Sequence, residues 1–164
     1  KAKNQTMDYF RRSISEHFFF KAALALNVLI WLFSLPALLR AHTMPTLLER
    51  LTVGKKEKAR PAVNLSDAVG VVTRISNLRP FRSRVFPKLC LRQSLALYRT
   101  LTQMGYPVEI HFGVRKVDNS LSGHSWVTLG GRAVADTAPT GIFKAVYSYP
   151  PETAELFSNR KVRY

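Results

Sequence analysis

Three residues could together perform acyl transfer. Cys90 stands at the predicted start of a helix, where unpaired backbone N–H groups and the helix dipole stabilise a thiolate. The sequence has no acid between Asp67 and Glu109. It does carry Arg74, Arg79, Arg82, Arg84, Lys88, Arg92 and Arg99 there, a positive setting that favours the anion further. His124, in the sequence GHSW, is a candidate base for that thiol. Asp136 on the next strand could hold the imidazole tautomer and stabilise its charged form. Each residue alone has a plainer reading. A lone cysteine is usually a small buried hydrophobe, a strand histidine usually structural, and an aspartate after a strand usually a turn residue. The joint order of helix-start Cys, strand His and next-strand Asp is what raises the odds. His17, His42 and His111 are given no role.

The elements that must position these groups are legible as periodicities. After a basic segment containing Lys55, Lys56, Lys58 and Arg60, Ser66 or Asp67 can cap a helix with Ala68, Val69, Val72 and Ile75 at helical spacing. A better helix runs from Cys90 to Met104, with Leu91, Leu95, Tyr98 and Leu101 on adjoining faces, and Gly105 ends it. In PVEIHFGV, Val108, Ile110, Phe112 and Val114 share one strand face, leaving Glu109 and His111 on the other. A polar loop from Lys116 to Leu121, a strand from Ser122 to Leu129 and a strand from Arg132 to Asp136 follow. Helices followed by an antiparallel sheet make an α+β layout.

Composition narrows the class. The chain of 164 residues is 46% apolar and 21% charged, which fits one globular domain and excludes wholesale disorder. One cysteine excludes an internal disulfide framework and a multi-cysteine metal site; no metal and no cofactor is expected. Lys and Arg number 25 against 10 Asp and Glu, a net charge of +15 that attracts nucleic acid, acidic lipid or acidic peptide. No recognisable nucleic-acid-binding signature accompanies that charge, so nucleic acid is not the expected partner. The N-terminal third is different. From Phe18 to Leu39 the only charge is Lys21, and Asn27, Ser34 and Pro36 interrupt the apolar run. The plain reading is a long helix packed on the rest of the protein; a helix lying on a membrane or spanning it is the alternative. The division expected is 1–60, a hydrophobic helical region and basic linker, and 61–164, the domain with the chemistry.

The stretch CLRQSLALYRTLTQMGYPVEIHFGV, followed by GHSWVTLGGRAVAD, resembles the transglutaminase-like leader peptidases of lasso-peptide biosynthesis. That family shows a Cys-Leu-x-x-Ser-Leu-Ala-Leu helix, a strand ending in Gly-Val, an Ala-His-Ala-Trp-Val-like strand and a closing Asp. The match covers residues 65–140; Gly123 and Ser125 flank the His where the family usually has Ala. The resemblance implies a papain-like α+β core, with the Cys helix packed on an antiparallel sheet. It implies Cys90 as nucleophile, His124 as general base and acid, and Asp136 as orienting residue. The family has fused and split forms, and residues 1–60 do not look like the fused form's leader-recognition domain. The resemblance therefore implies a bacterial cytoplasmic enzyme that relies on a separate leader-binding protein, with a lasso cyclase as a further partner. Residues 18–39 are then a candidate surface for a partner or for the inner face of the membrane. An acyltransferase on the same triad, and a basic non-catalytic module, are the competing readings.

Register adds a geometric expectation. His124 and Asp136 touch only if they share a sheet face, so a three-residue loop, Leu129 to Gly131, is expected, with Gly131 left-handed or an equivalent bulge. A tight two-residue turn without a bulge would set Ser125, not His124, across from Asp136 and would contradict the triad assignment.

Overall fold

The computed structural model describes residues 2–52, 63–118, 120–135 and 140–150, without the side chains of residues 2–17 and 140. Four helices precede and support a four-stranded sheet: α1 (Ala2–Ala41), α2 (Met44–Thr52), α3 (Leu65–Ser76), α4 (Leu89–Gln103), β1 (Val108–Val117), β2 (Ser120–Leu129), β3 (Arg132–Val134) and β4 (Lys144–Tyr149). A short 3-10 turn, Arg79–Arg82, lies between α3 and α4. The sheet order is β3-β2-β1-β4, and every pairing is antiparallel. The expected α+β layout is therefore present, with β4 as an additional edge strand.

The helix boundaries follow local chemistry. α3 is capped two to three residues earlier than expected. The Asn64 side chain, not Ser66 or Asp67, accepts the Asp67 N–H at 2.8 Å. Asp67 instead sits in the first turn, where its charge suits the dipole, and reaches Lys21 of α1 at 2.9 Å. α4 ends as the sequence predicts. Gly105 is left-handed at φ +83°, and the N–H groups of Gly105 and Tyr106 bond back to Thr102 and Leu101.

One face of the sheet meets α4. Val108, Ile110 and Val127 are buried against Leu95, Tyr98 and Leu101, while Ala68 and Val72 of α3 close the same core. That core also takes in the N-terminal third: Val28, Trp31, Leu32 and Leu35 of α1 and Leu48 of α2 belong to it. α1 continues through Pro36, so the interruptions in its apolar run do not break it. The basic segment at residues 55–60 lies outside the described residues.

The two hairpins differ from expectation. Val117 pairs with Ser120, so the strands run further into the expected Lys116–Leu121 loop, and Asp118 is left-handed at φ +51°. The three-residue loop after β2 is not formed. Leu129 pairs with Arg132, and both Gly130 (φ +58°) and Gly131 (φ +78°) are left-handed. Two consecutive glycines can both take the conformation that a tight hairpin turn requires, and that turn matches the strand twist. The strand expected to reach Asp136 stops at Val134, followed by Ala135 at φ +58°. Strand alternation is not carried past Val134, and Asp136 lies outside the described residues.

Candidate active site

Cys90 is the second residue of α4 and is half-buried. Lys88 occupies the N-cap without offering a side-chain hydrogen bond. The first-turn N–H groups have no carbonyl partner within the helix, so they remain as donors for an anion at the helix mouth. What fixes this end is Arg92, one half-turn further on. Its guanidinium is buried and donates from Nε to the Ser76 carbonyl at 2.8 Å, and from Nη1 to the carbonyls of Phe81 at 2.6 Å and Pro87 at 3.1 Å. One side chain thus ties the end of α3, the 3-10 turn and the segment before α4 to the helix that carries the thiol. Burial, and then the charge of Arg82, push the Arg92 pKa down, while Cys90 opposes that shift.

Cys90 and His124 line one cavity of about 520 Å³, together with Gln93, Ser94, Thr73 and Ala135. The register of helix against sheet is set one turn after Cys90, where the Ser94 hydroxyl bonds the Cys90 carbonyl at 2.7 Å and the Ser125 hydroxyl at 2.8 Å. Ser125 faces α4, so alternation puts His124 on the other sheet face with Trp126. The rings show the same: His124 stacks on Trp126 with centroids 5.9 Å apart and planes at 18°, and lies 4.8 Å from the Phe143 ring. Because β3 is only three residues long, no described strand covers the edge of β2 beyond Val127 on that side. His124 lines the cavity at this edge. Gln93 Nε2 lies 3.5 Å from the Ala135 carbonyl and 3.4 Å from Thr73 Oγ1, so it spans the cavity towards the residue before Asp136. A left-handed residue with a side chain, as at Ala135, is a costly conformation that occurs preferentially at functional sites.

A residue that sequence reasoning passed over stands behind His124. His111 also stacks on Trp126, at 5.4 Å and 22°. Its two ring nitrogens meet the hydroxyls of Ser148 and Thr128, both at 2.8 Å, and burial pushes its pKa down. Trp126 has room because Gly113 lies beneath it: a Cβ there would stand 2.8 Å from the indole. Glu109, on the same sheet face, is buried as well, so this face is covered although it carries polar side chains. The signal was register: Val117 across from Ser120 places His111 opposite Trp126 and Gly113 opposite His124.

A helix opening on a cysteine, laid on an antiparallel sheet with a histidine at the shared cleft, is the arrangement of papain-like thiol chemistry. The family model of the transglutaminase-like superfamily matches residues 31–148, and the chain belongs to that superfamily, which includes cysteine peptidases and acyltransferases. The match spans Cys90 and His124, and it begins inside α1. No curated protein and no solved structure shows a significant match to the chain.

Proposed function

We propose that this protein is a cysteine peptidase that removes the leader from a ribosomally made lasso-type precursor peptide, working with a separate leader-binding protein. The observation that carries this reading is the shared cavity. The CLRQSLALY helix and the GHSW strand, which bear the resemblance to the lasso leader peptidases, bring Cys90 and His124 to one cleft inside the superfamily match. In the proposed reaction the Cys90 thiolate attacks the scissile carbonyl, forming a C–S bond and a tetrahedral oxyanion. The unpaired N–H groups at the start of α4 are its natural donors. The oxyanion collapses, the C–N bond breaks, and His124 gives its proton to the leaving amine. Water, deprotonated by His124, then hydrolyses the thioester and frees Cys90. In this scheme Asp136 orients the imidazole, which requires the chain to leave strand alternation at Ala135, where φ is +58° after β3 ends at Val134.

The test is precursor cleavage followed by mass spectrometry, with and without the leader-binding partner. Cys90→Ala is expected to abolish cleavage and leave the fold intact, and iodoacetamide is expected to block the wild type by alkylating Cys90. A cut by the alanine variant would refute the mechanism. An aminolysed rather than hydrolysed product would assign the same site to acyl transfer. Full-rate proteolysis of unrelated peptides by the isolated chain would refute the leader-peptidase reading.

A further inference from the structure

Two opposite stripes of α1 have opposite fates. Val28, Trp31, Leu32 and Leu35 are buried in the core. Phe19, Leu26, Ile30 and Phe33, half a helical turn round, are exposed by 53–70%. The exposed stripe does not end at the helix. Phe33 packs over the buried Phe81 ring at 5.0 Å, the planes tilted by 53°, and meets the half-buried Phe86 ring edge-on at 6.0 Å. These two rings belong to the basic segment that leads into α4. Around them Leu78 and Val85 are exposed, and so are Arg79, Arg82, Arg84 and Lys88, with no acid in sequence between Asp67 and Glu109.

We propose that the exposed α1 stripe and the arginine-rich segment before Cys90 form one continuous surface that lies flat on an anionic lipid bilayer. A contiguous apolar strip rimmed by cations fits such an interface: side chains enter the headgroup boundary while Lys and Arg meet lipid phosphates. The net charge of +15 favours an anionic surface over a neutral one. The helix lies in the plane rather than crossing it, although its length and apolarity would suffice for a span. Lipid on all sides would strip Val28, Trp31, Leu32 and Leu35 from the core. It would also break Arg99 from Asn27, at 2.8 Å, and Lys21 from Asp67, at 2.9 Å. Docked this way, the segment leading to Cys90 faces the bilayer. The proposal is independent of what the cysteine cleaves.

Flotation of the full chain with vesicles tests this, using phosphatidylcholine alone or with about a third phosphatidylglycerol. The wild type is expected to float with the anionic vesicles, to stay behind with the neutral ones, and to be released by alkaline carbonate. Leu26→Gln with Ile30→Gln, and separately Arg79→Glu with Arg84→Glu, should each weaken binding roughly tenfold or more with unchanged circular dichroism. The second pair lies on an exposed segment, so it serves even if the first disturbs the helix. Absence of flotation, flotation untouched by the arginine pair, or resistance to carbonate would overturn the proposal. So would a concentration-dependent dimer that the Leu26/Ile30 pair abolishes without any lipid binding, since that would make the stripe a contact between copies.

Discussion

At the scale of single residues, the candidate base is held by what lies behind it. Trp126 fits over Gly113 only because no Cβ is there, and His124 and His111 both stack on that indole. Gly113→Ala should therefore push the ring aside, lower the stability by about 1–3 kcal/mol and lower the rate of precursor cleavage. Gly123→Ala is the control. A Cβ there meets nothing closer than the Gly113 carbonyl at 4.0 Å, so urea unfolding should be unchanged within about 0.5 kcal/mol or slightly favoured. His111 makes a second, pH-dependent prediction. Burial lowers its pKa below the ordinary 6.5, so below that pH the unfolded chain binds a proton that the folded one resists. Stability should fall as pH drops through about 6.5 towards the folded-state value, and this part of the slope should vanish in His111→Gln. Glu109, 3.7 Å from His111, also faces this site, and the variant isolates the histidine's share. Cys90 and His124 were legible because motif and residue type name them. His111 was not, because its partners come from Thr128, Trp126 and Ser148, and only strand register brings those together.

At the scale of elements, the thiol's position depends on a side chain that composition counts as one more cation. Arg92 satisfies three carbonyls from three segments, none of which α4 reaches by its own backbone. Removing it takes the donor from all three acceptors at once and frees the three segments from one another. Arg92→Met should cost about 3 kcal/mol or more, read from urea or thermal unfolding, and should reduce cleavage by displacing the start of α4. Arg92→Lys should recover little. An ammonium keeps the charge but cannot place Nε and Nη1 on diverging carbonyls at once. The helix itself was readable from its apolar spacing and from Gly105. The Asn64 cap was missed because Ser66 and Asp67 have equal capping chemistry, and only the backbone geometry decides among neighbours. The β2–β3 turn was misjudged for a different reason. The expectation assumed that the strand runs on to Asp136, whereas β3 ends at Val134 with a left-handed Ala135.

At the scale of the whole molecule, the N-terminal third bears directly on the domain that carries the chemistry. The sequence reads residues 18–39 as a packed helix or a membrane helix, because uniform apolarity hides which side faces protein. The structure separates the two sides: Val28, Leu32 and Leu35 are essentially inaccessible and Trp31 nearly so, all in one core with Ala68, Val72, Leu95 and Val127. Burying each such side chain is worth about 1.5–3 kcal/mol, so the four together approach the whole stability of a typical domain, about 5–15 kcal/mol. Deleting residues 1–40 should therefore abolish cooperative unfolding and all cleavage, whatever the segment does at a membrane or with a partner. Deleting only residues 1–17 spares all four of these side chains and should leave a cooperative thermal transition. The comparison is read by circular dichroism melting of the two truncations beside the full chain. A stably folded, active protein lacking residues 1–40 would show that α1 is an appendage, and would move the boundary of the folded unit past Ala41.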